Sequence, residues 1–313
     1  MNRTVRIAVR CDGNQELASG HLMRCLSIAE ELKQKGAEVF FCFADHTSEE
    51  WFRGDAFARE ILESDYRSPR SEIPSLVRCL SERGADAVLI DHYHIDDAYL
   101  ADLKGRMPQV KICVLDDFVS EGRDADLVIN YTLPGRAEYA PIRRRFREER
   151  MAVRPEIKRV FVSTGGSDPC GMRGEITAIV RDVLPEAQIC IPKGIDDMAA
   201  YMAECDLAVS AGGTTVYELC AVGVPAILFT MADNQQMLAQ GVRDAVENAG
   251  DVRNAREKEQ TLGRIRVFIS RMAHDRELRS AVSGRMRQVT DGYGTQRIAD
   301  EILRTISQIR TEE

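Results

Sequence analysis

The 313-residue sequence has no run of about 18 uninterrupted apolar residues, the length a membrane helix needs, so no transmembrane span is expected. Its first ten residues alternate charge with aliphatics and lack the continuous apolar region of a signal peptide. Positive charge is not in excess: 42 Lys and Arg stand against 50 Asp and Glu, a formal net charge of −8. A general nucleic-acid binder would be basic, so no nucleic-acid partner is expected. The nine cysteines, at 11, 25, 42, 79, 113, 170, 190, 205 and 220, include no C-x-x-C pair. Clustered Cys and His at zinc-ligand spacing are absent too, which argues against a metal site. Cys113 and Cys190 lie inside apolar runs, as buried reduced thiols do. Neither G-x-G-x-x-G nor the G-x-x-x-x-G-K-[ST] loop occurs, so dinucleotide and ATPase readings lose support. A cytoplasmic protein with no metal and no cofactor is therefore expected.

What is present is an ordinary globular composition, 44% hydrophobic and 29% charged. The length, divided by about 150, suggests two domains. Residues 5–9 read as a first strand, followed by a turn-rich stretch from Cys11 to Gly20. A helix is expected from His21 to Lys35, where Leu22, Cys25, Leu26, Ala29 and Leu32 recur at spacings of three and four. Further strands are expected at 39–44, 87–90, 110–115 and 126–130, with helices near 74–83 and 95–105 between them. The charged stretch 143–154 reads as a surface helix leading into a linker. The pattern then restarts, with strands at 159–163, 188–191, 207–210 and 225–230. Helices are expected near 176–184, 196–205, 216–222, 234–249, 260–274, 277–289 and 295–309. Near-continuous apolar strands alternating with helices mean parallel sheets covered on both faces. The expected domains are 1–152, 153–294, and a terminal helix, 295–313, placed to pack back on the first domain.

In such sheets ligands bind beyond the carboxyl ends of the strands. His21, Asp91–Tyr93 and Asp116-Asp117 all follow strand ends. His21 sits where a glycine-rich turn becomes a helix, near the surface, and the helix dipole there favours the neutral imidazole a general base requires. A histidine that merely hydrogen-bonds the turn would look the same. Asp12 and Asp117 are candidate orienters of His21 or of a water; His92 and His94 are weaker candidates for the base. In the second half, Gly165-Gly166 and Gly212-Gly213 share one layout: strand, small residue, two glycines, helix. Glycine permits positive φ and close backbone approach, and a helix start offers free N–H groups, which suits a diphosphate. One such pair marks only a tight turn; two equivalent pairs point to a binding site. Glu218, one turn into the helix after Gly213, is placed to accept from both hydroxyls of a ribose. Asp233-Asn234-Gln235 opens the helix after 225–230 and is either a plain cap or a sugar contact.

Taken together these segments resemble the UDP-sugar hydrolases of the pseudaminic-acid pathway and their spore-coat polysaccharide relatives. The resemblance is carried by Arg10-Cys11-Asp12, by Ser19 to Leu26, by Asp91-His92-Tyr93 and by Asp116-Asp117. In the second half it is carried by Thr164 to Pro169, Asp206 to Glu218 and Ala232 to Gln235. It spans nearly the whole chain, and segments 19–26 and 206–225 are its specific part. The resemblance implies an α/β GT-B architecture, two Rossmann-like domains facing across a cleft, similar to the MurG glycosyltransferase. It implies hydrolysis of a UDP-linked 2,4-diacetamido-2,4,6-trideoxy hexose without a metal; a monomer or weak homodimer is expected. His21 would be the catalytic residue. Asp12, Gly20, Tyr93, Asp117, Gly165, Gly166, Ser210, Ala211, Gly212, Gly213, Thr214, Glu218, Asp233, Asn234 and Gln235 would bind the substrate, with Glu218 on the ribose and the two glycine pairs on the diphosphate. The rivals are a glycosyltransferase on the same fold and a non-catalytic nucleotide-sugar binder. The chain departs from the family between Leu184 and Asp196, where relatives usually carry a further strand–helix unit. The family's Cys before the Asp126 strand and Gln near Asn130 are also missing.

Overall fold

The computed structural model describes residues 3–118, 123–166 and 168–308. The chain divides into two compact units, Met1–Tyr131 with Thr295–Glu313, and Thr132–Gly294. The first holds a six-stranded sheet built from β1 (Arg6–Cys11), β2 (Glu38–Phe43), β3 (Ala58–Ile61), β4 (Ala87–Asp91), β5 (Lys111–Leu115) and β6 (Leu127–Ile129). Its order is β3-β2-β1-β4-β5-β6, and every pairing is parallel. This is the Rossmann order. Ile7, Ala8, Val9, Val88, Leu89 and Ile90 are fully buried, because helices cover both faces of the central strands. On one face Leu76 and Leu80 of the helix Ile73–Arg83, with Leu100 and Leu103 of the helix Asp97–Arg106, pack on Ala8, Val88, Ile112 and Val114.

The second unit holds β7 (Arg159–Ser163), β8 (Gln188–Cys190), β9 (Leu207–Ala211), β10 (Ala226–Thr230) and β11 (Glu247–Asp251). They form one parallel sheet in the order β11-β10-β9-β7-β8. The helix Gly294–Ser307 buries Ile298, Ala299, Ile302 and Ile306, and Lys35 Nζ lies 2.7 Å from Asp300 Oδ1.

Several expectations need correction. Residues 132–152 belong to the second unit, not the first. Phe146 is fully buried there, and the Met151 N–H donates to the Val222 carbonyl at 3.1 Å. The charged stretch from 143 forms only a single short turn of helix, Arg145–Glu148. The helix expected over 234–249 stops at Gly241, and its end is the edge strand β11. That strand reads Glu-Asn-Ala-Gly-Asp, with Ala249 alone fully buried, so it carries no apolar period. β3, the edge of the first sheet, is likewise half-exposed and absent from the sequence reading. Among the described residues no helix is long and apolar enough to cross a membrane.

Candidate functional site

In the first sheet the strand order reverses between β1 and β4, the point where open α/β sheets bind ligands. Cys11 and Asp91 are register partners at the ends of these two strands. After β1 the chain turns tightly, with Asn14 Oδ1 accepting from the N–H groups of Glu16 and Leu17 at 2.8 Å each. The turn delivers His21 as the second residue of the helix Gly20–Gln34. There His21 Nδ1 lies 2.6 Å from Asp91 Oδ1.

Burial alone would raise the Asp91 pKa, but Arg24 and then His21 outweigh it and hold the carboxyl well below its usual range. An ionised carboxylate only accepts, so Nδ1 carries the hydrogen, and in the neutral ring Nε2 then carries the lone pair. Arg24 Nη2 lies 3.0 Å from the same Nδ1, but the nearer, charged acceptor decides the tautomer. Among the described residues Nε2 has no hydrogen-bond partner. It is also not among the sealed unpartnered atoms of the described residues, which are His92 Nε2 and Arg159 Nε, so it opens to solvent.

Arg24, three residues along the same helix, donates from Nε to Asp91 Oδ2 at 2.5 Å and from Nη2 to Asp91 Oδ1. From Nη1 it donates to Asp117 Oδ2 at 2.9 Å and to the Tyr131 hydroxyl oxygen. The Tyr93 hydroxyl in turn donates to Asp117 Oδ2 at 2.9 Å. The Tyr93 ring meets the His21 ring edge-on, with centroids 4.4 Å apart, while remaining 41% exposed. His21, Arg24, Asp91 and Asp117 are buried and Tyr93 forms their solvent edge. His21 is therefore less superficial than expected: at 4% exposure it presents little more than one edge.

Asp12 does not orient His21, and neither does Asp117. Asp12 is fully enclosed, accepting from Arg10 Nη1 at 2.5 Å, the Ala44 N–H at 2.8 Å and the Ser48 hydroxyl at 3.0 Å. Arg10 also donates to both oxygens of Glu72. Asp12 thus fixes the end of β1 against β2 instead of facing a ligand. His92 Nε2 stands 3.4 Å from Asp12 Oδ2, is sealed from water, and makes no hydrogen bond. His94 is exposed. Gly20 opens the His21 helix with open space where a Cβ would stand.

In the second sheet the order reverses between β7 and β9, and Ser163 and Ser210 are register partners there. Both glycine turns therefore leave from neighbouring strand ends. Gly165 has φ +78°, a conformation that favours glycine, and Gly165 and Gly166 are exposed. The next helix starts only at Met172, and the Asp168 carboxylate accepts from the N–H groups of Met172 and Arg173 at 2.8 and 3.0 Å. The free helix start expected after this turn is thus already capped. Ser167 lies outside the described residues.

The second turn differs. The helix Thr215–Val222 begins with no side-chain cap from Thr214. A Cβ on Gly212 would stand 3.3 Å from the Gln235 carbonyl oxygen and 3.4 Å from Thr230 Cγ2. Glycine there lets the start of the helix Asp233–Gly241 lie against the Ala211–Thr214 turn. The Ser210 hydroxyl donates to the Ala211 carbonyl, and Gln235 Oε1 accepts from the Met231 N–H at 3.0 Å. Asp233 is exposed and bonded to Arg253, while Asn234 is half-buried. Among the described residues Glu218 has no hydrogen-bond or ion-pair partner; burial pushes its pKa up to about 7, against a downward pull from Arg143.

Two residues were missed from the sequence: Asp91 as the partner of His21, and Arg24. A signal existed for Arg24, since positions i and i+3 share a helix face. Among the described residues no group of three His, Cys, Asp or Glu gathers as a metal would require.

Residues 178–291 match the family model described as the glycosyltransferase family 28 C-terminal domain. The uncharacterized protein MJ1062 of Methanocaldococcus jannaschii is 21% identical over 286 residues, 74% of this chain; the chain spans 57% of that protein's length. The spore coat polysaccharide biosynthesis protein SpsG of Bacillus subtilis is also 21% identical, over 77% of this chain and 81% of SpsG. Among solved structures, Acinetobacter baumannii MurG superposes with a TM-score of 0.68 at 16% identity, over 96% of this chain and 99% of MurG. The spinosyn rhamnosyltransferase SpnG, complexed with thymidine diphosphate, gives 0.60 at 13% identity, over 98% and 99%. The chain has the GT-B fold of these proteins, two Rossmann-like α/β units.

Proposed function

We propose that the protein hydrolyses a UDP-linked 2,4-diacetamido-2,4,6-trideoxy hexose to UDP and free sugar, in the synthesis of a nonulosonic acid or surface polysaccharide. The observation that carries this reading is the His21–Asp91 pair, in which the bound Nδ1–H leaves the Nε2 lone pair open to solvent. That is the arrangement a general base needs. Nε2 takes a proton from a water whose oxygen attacks the anomeric carbon. The bond from that carbon to the diphosphate oxygen breaks, and its electron pair leaves with UDP. The second unit would hold the nucleotide, with Glu218 on the ribose. The exposed Gly165-Gly166 turn and the uncapped start of the helix Thr215–Val222 would meet the charge of the leaving diphosphate. The similarity to SpsG supports a place in polysaccharide synthesis.

A second reading is a glycosyltransferase, favoured by the family 28 match over 178–291. In that case Nε2 deprotonates a sugar hydroxyl in place of water. Incubation of the protein with UDP-diacetamido sugars in buffer, with no other acceptor, separates the two. Release of UDP and free sugar supports hydrolysis. Release that appears only when an alcohol acceptor is added supports transfer.

A further inference from the structure

Among the described residues the first unit exposes three large apolar side chains, Tyr93, Phe118 and Val128. Single exposed apolar residues are ordinary on a protein surface. Two of these three are in contact, however: the Tyr93 and Phe118 rings pack edge-on with centroids 5.9 Å apart. Tyr93 is the ring that meets His21, so ring contact runs from His21 through Tyr93 to Phe118 without a break. Phe118 is 43% exposed, and its backbone is held on both sides. Its N–H donates to Asp116 Oδ1 at 2.8 Å, and its carbonyl accepts from Asn130 Nδ2 at 3.2 Å. These bonds tie Phe118 to residues that directly follow β5 and β6. The Tyr93 hydroxyl is committed to Asp117. The two rings thus form a ledge of aromatic carbon on a fixed support, beside the buried His21–Asp91 pair.

Ligand sites combine such aromatic walls with a few polar groups that fix orientation. Here the polar group is the imidazole, and the molecule on which it acts is the one that covers the ledge. Aromatic faces carry partial negative charge and accept the C–H groups of a sugar. A hydroxyl placed there gives up water without a new partner. In a 2,4-diacetamido-2,4,6-trideoxy hexose the acetamido methyls each adjoin a polar N–H and C=O, whereas C6 is a bare methyl on the ring. We propose that Phe118, with Tyr93, determines specificity for the sugar by packing on the C6 methyl and disfavouring a hydroxymethyl group there. This rests on the reading that His21 faces the sugar of a UDP-linked substrate, and it applies alike to water and to an alcohol as acceptor.

The test compares kcat/KM for UDP release from the UDP-linked 2,4-diacetamido-2,4,6-trideoxy hexose and from its 6-hydroxy counterpart. The full chain is used as wild type, Phe118→Ala and Phe118→Leu, each in buffer and with an alcohol acceptor. The wild type should favour the 6-deoxy substrate by about 10-fold, the low end for one group meeting a hydrophobic wall, because this wall is open on one side. Phe118→Ala should lower kcat/KM for the 6-deoxy substrate by about the same factor and leave the 6-hydroxy substrate unchanged, so that the preference disappears. Phe118→Leu keeps part of the apolar surface and should fall between the two. An exposed ring contributes little to packing, so the melting temperature of both variants should match that of the wild type. A wild type without preference, a preference that survives Phe118→Ala, or equal loss on both sugars overturns the assignment of Phe118 while leaving the UDP-sugar reading intact. A wild type that releases UDP from neither sugar, with or without the acceptor, overturns both.

Discussion

Arg24 grips both oxygens of Asp91, the carboxylate that accepts the Nδ1 proton of His21. One buried guanidinium thereby governs the aim of the imidazole, and through Asp117 it also governs the hydroxyl of Tyr93. Arg24→Met should leave two buried carboxylates without their cation. Breaking such a pair costs about 3–5 kcal/mol, so chemical denaturation should show a loss of that order. A loss below 1 kcal/mol, roughly the value of a surface pair, would mean the network is not buried as described.

Asp12, Asp91 and Asp117 each follow a strand, and nothing in their local sequence says which one reaches His21. The answer depends on sheet order: β4 lies beside β1, whereas β5 is one strand further away. Asp12 is nearer in sequence but is turned towards β2 by the Ala44 N–H and Ser48. The central strands were legible because burial on both faces makes them continuous apolar runs. The edge strands β3 and β11 were not, because half-exposed polar strands carry no such run. His21 and the glycine turns were legible as residues at strand ends. That Asp168 caps this helix was not, because its start at Met172 precedes Ile176, where the apolar pattern begins to read as helix.

Asp91→Asn keeps the size of the side chain but removes the charged acceptor that fixes the imidazole tautomer. Turnover should fall by about 10²–10⁴-fold, the range for a positioned base, with UDP affinity unchanged. Activity within a few-fold of wild type would show that Asp91 does not set the state of His21.

Glu218 is a carboxyl whose pKa is raised to about 7 in the folded protein. A raised carboxyl pKa means that the folded state binds more protons than the unfolded one between the ordinary carboxylate range and pH 7. Stability from this group is therefore lost as pH rises through that window. Glu218→Gln removes the ionisation, so it should raise the melting temperature at pH 8 and change it little at pH 5. Calorimetric scans at the two pH values check this; equal shifts at both would contradict it. The same variant should bind UDP more weakly if Glu218 holds the ribose.

The central claim is that His21 delivers water to the anomeric carbon of a UDP-sugar. The most direct measurement is NMR of wild type and His21→Ala with a panel of UDP-diacetamido sugars, following UDP and the anomer of the released sugar. The account predicts UDP and a single first-formed anomer from the wild type in water alone. It predicts a rate lower by at least about 10²-fold in the variant, with UDP binding retained. A variant as fast as the wild type would remove His21 from the chemistry and contradict the account.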